Sequence, residues 1–126
     1  MKDEAKRWLD IAEGIIPMAK KPISKSITDF VNLLRPECSV DRVILFGSSI
    51  TKSRRPDSDL DLLVVSKDFR RLDEDRRLDL LYRYSRFLKP EIHPWGITPE
   101  ELKAASRLTT IGFARDHGQI VYSKHQ

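Results

Sequence analysis

Residues 42–65 read RVILFGSSITKSRRPDSDLDLLVV, and this stretch decides the fold. Arg42 to Phe46 is short, apolar and rich in branched side chains, as a buried strand is, and it runs straight into Gly47, Ser48 and Ser49. The TKSRRPDS segment that follows supplies breakers and polar groups. Asp59 to Val65, DLDLLVV, then reads as a second strand whose start alternates acid with leucine. Side chains alternate along a strand, so Asp59 and Asp61 share one face while Leu60 and Leu62 point into the core and hold the strand rigid.

On the N-terminal side, Trp8, Ile11, Ala12, Ile15 and Ile16 fall at helical spacing, with a stop or kink expected at Pro17, which cannot donate a backbone hydrogen bond. A second helix is expected from about Pro22, with Ile27, Phe30, Val31 and Leu34 on one face and Pro36 ending it. On the C-terminal side, Asp73 to Leu88 carries a third helical stripe of Leu78, Leu81, Tyr82 and Leu88. Glu91 to Ile97 reads as a strand that Pro94 confines to an edge or a bulge. Thr98 with Glu101 forms a capping box, a last helix runs from about Leu108 to Gly118, and QIVYS closes as a final edge strand. Strands alternating with helices imply an α/β fold, a small mixed sheet flanked by helices. The expected organisation is one domain over residues 1–126, with a helical lead over 1–38 and an α/β core over 40–123.

Bulk properties narrow the function. A chain of 126 residues has room for one compact domain and one principal site. The net charge is +4, but both signs are interspersed, so no basic stripe marks a nucleic-acid footprint and a compact polyanion is the better ligand. Cys38 is the sole cysteine, which excludes an internal disulfide and a paired-thiol metal site; it is read as inert. The N-terminus is charged where a signal peptide needs an apolar core, and no apolar run approaches membrane-spanning length, so a cytoplasmic, non-membrane protein is expected.

The chemistry is concentrated in Phe46-Gly47-Ser48, ten intervening residues, and Asp59-Leu60-Asp61-Leu62. A glycine and a serine at the end of a buried strand let backbone N–H groups approach a phosphate, and the hydroxyl adds a donor. The aspartate pair concentrates negative charge that calls for a cation, and magnesium is typically held by one or two carboxylates plus substrate phosphates. A third acid is then expected, and Glu91, opening the next strand, is the candidate for a base or a further metal ligand. His93 has no metal-ligand spacing around it and reads as structural, unless a shifted alignment puts it in the place of Glu91. Trp95 either borders the nucleotide cleft or packs. Arg70, Arg71, Arg76 and Arg77 read as a solvated helix face, and His117 as a favourable charge at a helix C-terminus.

Those residues resemble the nucleotidyltransferases of the DNA polymerase β superfamily, and in size the chain is similar to the minimal nucleotidyltransferases. The likeness covers roughly residues 40–123, with the motif confined to Phe46 through Leu62. It implies a polymerase β-like fold preceded by the helical lead, Asp59, Asp61 and Glu91 as the catalytic and metal-binding acids, Mg2+ as cofactor, and ATP as substrate. Gly47, Ser48, Ser49 and Lys52 would hold the nucleotide. Many relatives continue after Gly-Ser with an Arg-Ala-Arg-Gly-like run. This chain has Ser49-Ile50-Thr51-Lys52 there, so Lys52, Arg54 or Arg55 would supply the positive charge. The resemblance further implies AMP transfer to a tyrosine of a helical HEPN-type partner, as an antitoxin acting on a toxin. A catalytically silent module that neutralises such a partner by contact is the alternative reading, with transfer to a small molecule behind it. A homo-oligomer is kept open.

Overall fold

The computed structural model describes residues 21–47 and 59–124. The described elements are α1 (Lys21–Leu34), β1 (Arg42–Phe46), β2 (Leu60–Val65), a 3-10 turn (Lys67–Arg71), α2 (Glu74–Ser85), β3 (Ile92–Ile97), α3 (Pro99–Ala104), α4 (Thr110–His117) and β4 (Gln119–Ser123). The stripe expected around Trp8, and the loop carrying Ser48, Ser49, Lys52, Arg54 and Arg55, lie outside the described residues.

The strands form one mixed sheet in the order β3-β2-β1-β4. β1 lies antiparallel to both β2 and β4, and β2 lies parallel to β3. A parallel pair needs a crossover, which the 3-10 turn and α2 provide. Both faces of the sheet are covered, which is why its central strands read as nearly unbroken apolar runs. On one face Val43, Leu45, Leu60, Leu62, Val64 and Ile92 pack with Ile27, Phe30, Val31 and Leu34 of α1. On the other, Ile44, Phe46, Leu63, Val65 and Ile97 pack with Leu102 of α3 and Ala114 of α4. The alternation expected of DLDLLVV is therefore realised: Leu60 and Leu62 are fully buried on the α1 face, and Asp61 belongs to the opposite one.

Local signals account for the element ends. Asp73 caps α2 by accepting from the Arg76 N–H, and the Thr98–Glu101 capping box forms at α3, with the Glu101 N–H donating to Thr98 Oγ1 at 3.1 Å and the Thr98 N–H to Glu101 Oε1 at 2.8 Å. Pro94 sits in unbroken register opposite Leu62, with no bulge. An edge strand has only one ladder, so a missing donor is tolerated there. Gly118 ends α4 at φ −74°, without the left-handed turn common at helix ends; an added Cβ would lie 2.4 Å from the Ala114 carbonyl oxygen and 2.5 Å from Ile44 Cγ2, so close packing against β1 selects glycine.

Two side-chain readings change in the fold. In α2 the buried side chains are Arg77, Leu81 and Ser85, while Leu78 and Tyr82 stand half exposed. Arg77 leaves the expected solvated face altogether and is 8 % exposed. Its Nε donates to the carbonyls of Phe69 (3.1 Å) and Leu72 (2.9 Å), its Nη2 to Phe69 O (2.7 Å) and its Nη1 to Glu101 Oε1 (2.7 Å). The planar guanidinium can satisfy several carbonyls at once, so Arg77 joins the 3-10 turn, α2 and α3 around the end of β3.

Candidate active site

Three adjacent strands deliver the polar groups. β1 ends at Phe46, and Gly47 follows with φ +72°, a left-handed conformation that side chains with a Cβ adopt only at a cost. Across the antiparallel ladder Phe46 is opposite Asp61, and a Cβ built on Gly47 would lie 2.6 Å from Asp61 Oδ2. Glycine is thus required twice over, by its backbone and by the carboxylate against it.

On the other side of β2, Asp61 is in register with His93 of β3. The residue before each strand's first paired position is also an acid: Asp59 precedes Leu60, Glu91 precedes Ile92, and the Leu60 N–H donates to the Glu91 carbonyl at 2.8 Å. Asp-x-Asp on one strand therefore faces Glu-x-His on the next, and period-two alternation puts all four side chains on the α3–α4 face of the sheet. His93 Nε2 lies 3.1 Å from Asp59 Oδ2 and 3.1 Å from Glu91 Oε2. One donor atom from each of Asp59, Glu91 and His93 falls within 4.8 Å of the others. Asp61 stands beside this trio with its carboxylate toward Gly47.

Exposure divides the acids. The side chains of Asp59, Glu91 and His93 are about half exposed, at 49 %, 51 % and 52 %. Asp61 is more enclosed, and burial pushes its carboxyl above the ordinary aspartate range; His93 works against that shift and the Asp59 charge adds to it. Two carboxylates and an imidazole converging on one small volume offer hard oxygen donors and one nitrogen, a set that fits a divalent cation.

A cavity of about 870 Å³ opens from this cluster. Asp61, Glu91 and His93 line one end, and Trp95, Leu78 and Tyr82 give it apolar walls. Trp95 thus borders the cleft and also packs, its ring meeting Phe46 edge-on with centroids 6.1 Å apart. The half exposure of Leu78 and Tyr82 follows from their facing this cavity.

The structure brings Gly47, Asp59, Asp61 and Glu91 together, while Ser48, Ser49 and Lys52 lie outside the described residues. It adds His93, which the sequence reading placed outside the ligand set. The signal for it was present as the alternation Glu91-x-His93, two residues apart like Asp59 and Asp61, but its weight depends on the parallel register that sets one pair against the other.

A family model described as a nucleotidyltransferase domain matches residues 24–120. The span contains every described strand except the end of β4, as well as the whole four-residue cluster, and the chain belongs to the nucleotidyltransferase domain family. Its activity is accordingly that of a transferase acting through nucleotidyl transfer, on a mixed α/β fold consistent with the polymerase β-like architecture. Comparison with curated proteins and with solved structures returned no match. Among the described residues no helix is long and apolar enough to cross a membrane.

Proposed function

We propose that the protein transfers AMP from ATP to a hydroxyl of a partner protein, a tyrosine of a helical HEPN-type toxin, and so acts as its antitoxin. The observation that carries the catalytic part is the convergence of Asp59 and Glu91 with His93, next to Asp61 against the left-handed Gly47, in a chain of this family. The tyrosine acceptor and the HEPN partner rest on the resemblance of the Gly-Ser and Asp-x-Asp motif to the minimal nucleotidyltransferases. The open cavity beside the acids, walled by Trp95, Leu78 and Tyr82, is a suitable receptacle for an aromatic acceptor.

In this reading Asp59, Asp61 and Glu91 hold the cation, magnesium by analogy. When bound, such a cation neutralises the triphosphate and lowers the pKa of a coordinated hydroxyl. Gly47 presents its backbone N–H to the phosphates, and the resemblance assigns the rest of the nucleotide contacts to Ser48, Ser49 and Lys52. The acceptor oxygen forms a bond to the α-phosphorus as the bond to pyrophosphate breaks in line, and the hydroxyl proton passes to the Glu91 carboxylate. Asp61, held between Gly47 and His93, fixes the position of negative charge on which the reaction geometry depends.

The deciding experiment incubates the purified chain with labelled ATP, magnesium and the helical partner, beside Asp59→Asn and Asp61→Asn. Label on the partner that disappears in both variants, while circular dichroism stays native, is the expected result. Equal labelling by the variants would overturn the reading. A stable complex that never acquires label would replace it by the contact-only module, which the departure at Ser49-Ile50-Thr51-Lys52 favours.

A further inference from the structure

Building on that reading of the cluster as the cation site, we propose that His93 Nε2 is itself a ligand of the bound cation, and that its imidazole makes this centre take Mn2+ in preference to Mg2+. The nitrogen lies between the two exposed carboxylates, 3.1 Å from Asp59 Oδ2 and 3.1 Å from Glu91 Oε2, and among the described residues those are its hydrogen-bonding partners. It is the third member of the group whose donor atoms all fall within 4.8 Å. A histidine kept for packing would have its ring enclosed; this one is half exposed and turned to the acids.

The backbone fixes it there. His93 is in register with Asp61, its neighbours Ile92 and Pro94 are buried, and Trp95 is braced edge-on against Phe46. The imidazole is thus held on the same sheet face as the acids by the strand itself.

The donor set decides the selectivity. Mg2+ demands oxygen ligands in near-octahedral geometry and gives up water reluctantly. Mn2+ accepts the same carboxylates, tolerates a nitrogen ligand, and stands above the alkaline-earth ions in its affinity for imidazole. Carboxylates alone already give Mn2+ some advantage and a nitrogen ligand widens it, so the share owed to the imidazole is the part of the preference that its removal abolishes. The competing arrangement is a protonated His93 acting as the counter-charge to Asp59 and Glu91, which would have to withdraw before a cation could enter. The two arrangements give opposite signs when the imidazole is removed.

The experiment uses the full chain without nucleotide. Mn2+ binding is followed by loss of the free-ion signal in electron paramagnetic resonance, Mg2+ by competition, and the bound Mn2+ is tested for nitrogen hyperfine coupling by pulsed resonance. The wild type should prefer Mn2+ by about tenfold or more and show the nitrogen coupling; His93→Gln should lose the coupling and about tenfold of the preference. Bound Mn2+ without nitrogen coupling in the wild type, or tighter cation binding in His93→Gln, would overturn the proposal while leaving the cation site of the transferase reading standing. If neither cation binds the wild type, this proposal falls, while the transferase reading, in which substrate phosphates complete the cation's shell, is decided by the labelling experiment. The nitrogen coupling is read on the wild type, so the test stands even if the variant folds poorly.

Discussion

Replacing Gly47 by alanine tests the link between backbone and chemistry more sharply than removing an acid. At φ +72° a Cβ carries a backbone cost of about 1–2 kcal/mol. The new methyl would also lie 2.6 Å from Asp61 Oδ2, where ordinary contact begins at 3.4 Å, so the carboxylate must retreat by the difference, 0.8 Å. Because that oxygen is the end of a short side chain, the retreat itself is cheap. Its catalytic effect is not, since a displacement approaching 1 Å at a reacting centre costs on the order of a hundredfold in rate.

Gly47→Ala should therefore lower the melting temperature by roughly 4–8 °C and slow transfer by about a hundredfold in molecules that remain folded at the assay temperature. The assay is single-turnover labelling of the partner at saturating ATP, beside thermal melting by circular dichroism. Gly118→Ala is the control: its Cβ would strike the Ala114 carbonyl and Ile44 on the β4 side of β1, across that strand from β2 and Asp61, so it should destabilise without slowing transfer per folded molecule. A Gly47→Ala chain that melts like the wild type would refute the backbone argument. One that is destabilised but transfers at the wild-type rate would refute the placement of Asp61 in the reaction.

Arg77→Met should cost about 3 kcal/mol, because the apolar replacement removes the guanidinium from the Leu72 carbonyl, from the Phe69 carbonyl, which keeps only the Leu72 N–H, and from the Glu101 carboxylate. The urea midpoint should fall with an unchanged slope, and a loss below about 1 kcal/mol would mean that water satisfies those carbonyls instead. Burial first, then the charge of Asp68, pushes the Cys38 thiol from 9.0 up to about 11, against a hydrogen bond with Ser66 that works the other way. The raised value favours the neutral thiol in the fold, so its contribution to stability is complete below pH 9 and is lost as pH rises through about 11. At pH 8 the thiolate should be roughly a hundredfold scarcer than in the unfolded chain, and alkylation by iodoacetamide correspondingly slower; equal rates in native buffer and in urea would contradict this.

Much of the fold was legible because local chemistry and global position agree. Arg42–Phe46 and Leu60–Val65 form a sheet covered on both faces, so their apolar character needs no partner to be recognised. Ile27, Phe30, Val31 and Leu34 mark α1 because one face meets one layer. The α2 stripe was misleading for a physical reason: helical spacing identifies which side chains share a face, but Leu78 and Tyr82 border a cavity, and only Leu81 of the central three reaches the core. Arg77 was read by composition as solvated, yet it is enclosed because it has carbonyls to satisfy, and carbonyls carry no mark in a sequence. Asp59 and Asp61 were visible as a local alternation. Glu91 was reachable as the acid that opens the next strand, but the place of His93 beside it was not, because register between strands joined through a helix is a property of the assembled sheet.

The same register explains how the fold tolerates three acids at one sheet end. Like charges gathered on one face repel, and burying them without a partner is expensive. Asp59 and Glu91 avoid most of that cost by remaining about half exposed and by sharing His93. Asp61 is less exposed, since β2 is a central strand and Phe46 and His93 occupy the positions on either side of it, and His93 offsets only part of the cost of burial. It is accordingly the acid whose carboxyl is pushed upward, chiefly by burial. Burial makes its charge unfavourable in the resting protein and would strengthen any attraction to a cation beside it, because the low-dielectric surroundings that penalise an unpaired carboxylate also magnify a paired one. The position least comfortable for an aspartate in this sheet is therefore the one where an aspartate can do most for a bound polyphosphate and its cation.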